Sequence, residues 1–403
     1  MSNSTLFLCF YGDGPYWKDL LYIPAYPAGF SYQKWAFRYD PSKWVSSELQ
    51  ADAAQQKQKK VPIDGILGVR FSAGRENLLL PLRKIEITWI DLAGGITQFY
   101  FRVQALLDFT KYASLEEACL TLPADELAEP DGKVKKALAF RSGVNVDSLK
   151  WSASENEDSA WRKMLELVES NTTVPLKSDV KSATYFRLSN ILNVSKGKTV
   201  QPTELQRSSG RGPVYGAGLK EGNQYQIKLS HHTLTEGPVN SGTAPVLPMK
   251  LELPTTSLQL TQPTLEVLGW YQTTPVDFKA LRADDMYQAL VIQVSKKKTG
   301  QTGTGADAQD AEWDIYLPIP LKVDIGWLYR LRTRWLPLLA LALVLTAQSS
   351  INFLKDFFDK LLDGKATFSD LTKFWPVFLV LLSLGAVASI IVTKLKGSGK
   401  SDD

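Results

Sequence analysis

Cysteine and histidine are almost missing from this chain, with two of each in 403 residues. Two thiols, Cys9 and Cys119, are too few for a disulfide framework, and their setting is expected to be a reducing one. The two histidines, His231 and His232, are neighbours in a strand-like segment. Adjacent strand residues point to opposite faces, so this pair cannot share one metal. The patterns HExxH, GxSxG and CxxC do not occur, nor does a phosphate loop. The glycine-rich SSGRGPVYGAG (Ser208–Gly218) lacks the Lys-Ser/Thr pair and reads as a turn. No catalytic residue, metal ligand or cofactor is therefore assigned, and a non-enzymatic role is the expectation.

Excess charge of one sign is lacking too. Lysine and arginine number 46 against 42 acidic residues, a net charge of +4. Without a basic stripe or RNP-like motif, nucleic acid is not expected as a partner. The opening MSNSTLFLCFYGDGPYW has no basic n-region, and its apolar run is too short for a signal peptide. With 44% hydrophobic and 22% charged residues the composition is that of a folded globular chain.

What the sequence does have is strand signal. GILGVRFSA, KIEITWID, ITQFYFRV, SATYFRLS, QYQIKLSH, MKLELP, LEVLGWYQ, ALVIQVS and WDIYLPIPL are short and rich in β-branched and aromatic residues. Gly, Pro, Asn and Asp punctuate them. Helical patterns are few: residues 44–60, 114–128 and 158–170, the last with Trp161, Met164, Leu165 and Val168 on one stripe. The expectation is a β-rich α+β region of antiparallel sheets, with a β-sandwich next to a membrane. It divides into an N-terminal domain over residues 1–150, a sandwich-like domain over 151–325 and a C-terminal hairpin over 326–403. Residues 295–314, KKKTGQTGTGADAQDAE at their heart, read as a long hairpin tip.

One internal similarity stands out. Tyr100-Phe101-Arg102 and the residues after it resemble Tyr185-Phe186-Arg187 and its sequel, which raises the possibility of a duplicated module. Arg70, Arg83, Arg102 and Arg187 sit in or beside apolar strand runs. A guanidinium there needs an anionic partner, either an internal carboxylate or a ligand phosphate. These four arginines are the ligand-binding candidates.

The C-terminus differs from everything before it. From Trp335 to Leu354 no residue is charged, and from Phe374 to Thr393 none is either. Each run spans about 30 Å as a helix, the thickness of a hydrocarbon core. The mean hydropathy of −0.13 confines any membrane part to a small share of the chain. Lys322, Arg330, Arg332, Arg334, Lys394, Lys396 and Lys400 flank the outer sides, against Lys355, Lys360, Lys365 and Lys373 between the runs. That bias expects the N-terminal region and C-terminal tail in the cytoplasm of a bacterial inner membrane. Between the runs, INFLKDFFDKLLDGK repeats its apolar residues at helical spacing, as an amphipathic helix does, and Gly364 stops it. Ala342, Thr346 and Ser350 on the first run, and Gly385 and Ser389 on the second, recur every four residues. With Gln348 they are the expected packing face of the hairpin.

These features expect a membrane-anchored cytosolic sensor or scaffold, with a lipid bilayer and a protein as partners and a homo-oligomer possible. The alternative is an oligomerising effector that perturbs the membrane through the hairpin, of the kind used in bacterial defence.

Overall fold

The computed structural model describes residues 4–11, 19–32, 37–40, 44–47, 49–50, 62–73, 76–91, 95–122, 138–176, 180, 183–208, 212–234, 246–252, 257–268, 270–283, 286–295, 313–325, 352, 355–356, 358–360 and 362–364. The chain separates into two compact units, Met1–Asp324 and Ile325–Asp403. Among the described residues, the first unit is built from three sheets, with antiparallel pairing throughout except for two parallel pairs.

The first sheet uses β1 (Thr5–Tyr11), β2 (Phe37–Tyr39), β3 (Ile63–Ala73), β4 (Glu76–Asp91), β5 (Thr97–Leu106), β6 (Leu120–Leu122) and β7 (Ala139–Ser142). A short helix α1 (Asp19–Tyr22) lies between β1 and β2. The strand order is β2-β5-β4-β3-β1-β7, with β6 on the early part of β4. β4 is long enough to hold β6 at Asn77–Leu79 and β5 from Arg83 onward. β1 runs parallel to β3. The period-two rule is visible in β5, where Phe99, Phe101 and Val103 are buried and Tyr100, Arg102 and Gln104 are half-buried.

After β7 the helix α2 (Glu157–Ser170) precedes β8 (Thr184–Asn193), β9 (Lys198–Thr199), β10 (Pro202–Ser208), β11 (Gly212–Lys220), β12 (Gln224–Thr233) and β13 (Val246–Glu252). Then follow β14 (Leu258–Leu260), β15 (Thr264–Leu268), β16 (Tyr271–Ala280), β17 (Gln288–Ser295) and β18 (Trp313–Asp324). They form a six-stranded sheet ordered β10-β11-β18-β17-β13-β15 and a five-stranded sheet ordered β14-β16-β12-β8-β9. Both sheets feed one apolar cluster, giving a β-sandwich-like region. In β12, Tyr225, Ile227, Leu229 and His231 are buried while Gln226 and Lys228 are not. Tyr185 to Leu188 in β8 are buried in succession, on both faces of the strand.

Several expectations need correction. Of the helix expected over 114–128, residues 114–122 do not form one, and 123–128 lie outside the described residues. A capping-box pattern is present: the Glu117 amide donates to Ser114 Oγ at 3.1 Å and the Ala113 amide to Glu117 Oε2 at 2.7 Å. The helical turn nonetheless stops there, because Leu120–Leu122 joins the edge of β4. LEVLGWYQ is two strands, β15 and β16, which belong to different sheets. The segment read as a turn at Ser208–Gly218 becomes strand from Gly212 on, placed between β10 and β18. The antiparallel sheets are as expected, with β1–β3 and β11–β18 as the two parallel pairs among the described strands.

Residues 51–60 of the first expected helix lie outside the described residues, as do 296–312 of the hairpin tip. The same holds for the runs 335–354 and 374–393, Asn352 apart, and so for Ala342, Thr346, Gln348, Ser350, Gly385 and Ser389. Among the described residues, no helix is long and apolar enough to cross a membrane.

Gly216 shows how closely β11 and β18 approach: a Cβ there would sit on the carbonyl oxygen of Pro320. Gly216→Ala is expected to cost about 1–3 kcal/mol, as a lowered urea midpoint with unchanged m-value. Phe101 and Phe186 are each only 2% exposed. Phe→Ala at either position is expected to cost about 3–5 kcal/mol in the same measurement.

Candidate functional site

The described residues with the densest buried charge surround Glu157, the first residue of α2. Its position is dictated by the helix stripe: Glu157, Trp161, Met164, Leu165 and Val168 recur on one buried face. A carboxylate on that stripe is carried inward with the apolar side chains. There its Oε1 accepts from Arg83 Nη2 at 2.8 Å and from the Leu106 amide at 3.2 Å. Its Oε2 accepts from Arg187 Nη2 at 2.6 Å. Arg187 Nε reaches Asp158 Oδ1 at 2.6 Å, the next residue of the helix.

The outer nitrogens of both guanidiniums turn to the chain around α1. Arg83 Nη1 donates to the carbonyl of Tyr26, and more weakly to that of Ile23 at 3.4 Å. Arg187 Nη1 donates to the carbonyl of Pro24 at 2.9 Å. The Leu188 amide bonds Ala25 O at 2.7 Å beside it. One carboxylate thus ties together β4, β5, β8, α2 and the residues after α1.

The backbone sets this up. A register shift between β4 and β5 falls between Arg83 and Ile85, and such bulges re-aim a side chain. Burial favours the neutral form of Glu157, yet the two guanidiniums and their hydrogen bonds outweigh it and hold the carboxyl below its ordinary range. For Arg83, burial comes first and lowers its affinity for the proton, with Glu157 opposing.

Of the four arginines singled out by sequence, the structure brings together Arg83 and Arg187. Arg70, on β3, is buried and donates from Nη2 to Asn77 Oδ1 at 3.0 Å. Arg102, on β5, pairs with Glu86 at 2.7 Å and lies 4.5 Å from the Tyr215 ring centroid. Arg102 and Arg187 therefore have unlike surroundings despite the YFR recurrence, one partly open and in the first sheet, the other sealed and in the five-stranded sheet. Glu157 itself was not singled out from sequence. The signal for it is the helix stripe, which extends one turn upstream of Trp161 onto an acidic residue.

A second cluster lies on the outer face of the five-stranded sheet, beside α2. His231 points inward, its ring 6.1 Å from that of Phe186. His232 points outward, 5.9 Å from the ring of Tyr271. Tyr271 is 39% exposed and carries the Arg162 guanidinium over its face at 3.8 Å. Burial and then Arg162 lower the His232 pKa against a smaller opposing pull from Glu166, so its ring is neutral at neutral pH. Among the described residues, no group of three or more His, Cys, Asp or Glu side chains is placed to hold a metal ion.

Removing Glu157 leaves two buried guanidiniums facing each other. Glu157→Gln is expected to cost about 3–5 kcal/mol. Combined with Arg187→Met it should cost less than the sum of the two changes, a coupling of about 0.5–3 kcal/mol in a double-mutant cycle. The pH dependence has a fixed sign. A carboxyl held below its unfolded value adds stability that is complete above the ordinary carboxylate range and is lost as pH falls through the folded value. The gap in urea midpoint between the wild-type chain and Glu157→Gln is therefore expected to narrow on acidification.

No family model matches the chain, and no curated protein matches it either. Among solved structures it is similar to WR4, a C. elegans MSP family member, at 12% identity. The match covers 27% of this chain and 92% of that one, with a TM-score of 0.19, too loose a superposition to support a statement about fold or function.

Proposed function

We propose that the chain is a membrane-anchored sensor or scaffold. Its β-rich unit engages a protein partner in the cytoplasm, and a C-terminal helical hairpin fixes it to the bilayer. The observation that carries this reading is positional. The compact unit ends at Asp324, and the sequence enters its first uncharged run at Trp335. A folded body joined so closely to two membrane-length apolar runs is the arrangement of an anchored domain. The exposed pair of Tyr271 and Arg162 supports a recognition role, since tyrosine and arginine are enriched among the residues that dominate protein interfaces.

The four-residue spacing of Ala342, Thr346 and Ser350, and of Gly385 and Ser389, favours close helix packing in lipid. Such packing serves either one hairpin or an assembly of several. Cross-linking in native membranes separates these: ladders above the monomer favour the oligomerising effector.

Alkaline carbonate extraction is expected to leave the full chain in the membrane pellet, and its recovery in the supernatant would sink the anchor. In intact cells, a cysteine replacing Ala366 should react with an impermeant thiol reagent while one replacing Ser398 should not. Reverse labelling would invert the topology.

A further inference from the structure

Leu362 is 84% exposed, more than any other large apolar side chain among the described residues, and Phe358, one helical turn before it, is 55% exposed. Both are helical, as are Asn352, Lys355, Asp356, Asp359 and Lys360. Lys360 Nζ pairs with Asp356 Oδ2 at 2.9 Å one turn away, and the Asp363 amide bonds Asp359 O at 3.1 Å. Gly364, at φ 70°, takes the left-handed conformation that ends a helix. Lys355, Asp356, Asp359, Lys360 and Asp363 occupy one side of the helical projection. Phe358 and Leu362 stand four residues apart on its other side.

We infer that this helix lies in the plane of the bilayer surface between the two spans, with Phe358 and Leu362 inserted among the acyl chains. Two observations select lipid as the occupant. The described helical residues begin at Asn352, at the end of one uncharged run, and the next such run begins at Phe374, so this stretch stands at the water boundary of the hydrocarbon. Its polar side carries two lysines and three aspartates, which gives no electrostatic attraction to anionic headgroups. Insertion is therefore driven by apolar area alone, and its depth does not depend on anionic lipid or on salt.

The inference rests on the membrane reading above, and the experiment separates the two. Leu362→Cys and Asp359→Cys are made singly in the full chain and spin-labelled at neutral pH. The native thiols stay protonated under these conditions, because burial pushes both Cys9 and Cys119 up to about 12. The unsubstituted chain measures any background. Each protein is reconstituted into phosphatidylcholine vesicles, with and without phosphatidylglycerol, and floated on a density gradient.

A label at position 362 is expected to collide with oxygen several-fold more readily than with a water-soluble nickel chelate, and a label at 359 to show the reverse. Both should be unchanged by phosphatidylglycerol. Failure of the chain to float defeats the anchor itself. A floating chain whose 362 label meets nickel as freely as the 359 label overturns this inference and leaves the anchor standing. So does a 362 label shielded from both reagents, since the face then packs on protein.

Discussion

A single carboxylate held between two guanidiniums organises the β-rich unit. Glu157 gives one oxygen to the first sheet, through Arg83 and the Leu106 amide, and the other to β8 through Arg187. Burying three charges costs several kcal/mol per ion before any of it is recovered. What recovers it is the shell: both oxygens and the outer guanidinium nitrogens have partners among side chains and backbone carbonyls, while Arg83 Nε is buried with no hydrogen bond to a described residue. The same shell orders the chain after α1, whose carbonyls at Pro24 and Tyr26 accept from the two arginines. Specific geometry follows, because an apolar contact tolerates sliding and a forked ion pair does not.

Helix α2 has a second effect through the same contact. It holds Arg187 through Glu157 and Asp158, and β8 lacks the alternation of a half-solvated strand there, with Tyr185 to Leu188 buried on both faces. The Ser189–Ser230–Thr273 hydroxyls, linked at 3.1 and 3.0 Å, carry polar pairing across the neighbouring rows of that sheet. Next to them the aromatic ring of Tyr271 emerges into solvent under Arg162.

Local pattern made most strands legible. Segments such as KIEITWID and QYQIKLSH alternate strongly; QYQIKLSH is β12 at nearly the expected bounds, whereas KIEITWID is only the second half of β4, which begins at Glu76. The pattern failed where tertiary pairing chose between local options. Ser114 and Glu117 form their cap, yet the chain leaves the turn to add Leu120–Leu122 to β4. LEVLGWYQ is continuous in character, and nothing local says that its halves belong to two sheets. The glycines of GPVYGAG suggested a turn, whereas Gly216 is required by the close passage of Pro320, about a hundred residues away in sequence. Among site residues, the need of Arg83 and Arg187 for a buried anion was legible, since guanidiniums in apolar strands demand one. Which anion was not, because Glu157 reads in isolation as an ordinary acidic residue at a helix start.

The place of β18 carries a consequence for how the molecule is made. This strand, the last among the described residues, does not extend an edge: it sits inside the six-stranded sheet, parallel to β11 and antiparallel to β17. Until residues 313–324 have left the ribosome, β11 and β17 each keep an open row of backbone donors and acceptors facing a gap one strand wide. Such rows are templates for pairing with any other extended segment. The sheet therefore closes late, by insertion and not by accretion, and the contacts that complete it span about a hundred residues of chain. Slow closure of this kind selects for synthesis at low local concentration or under the cover of a chaperone.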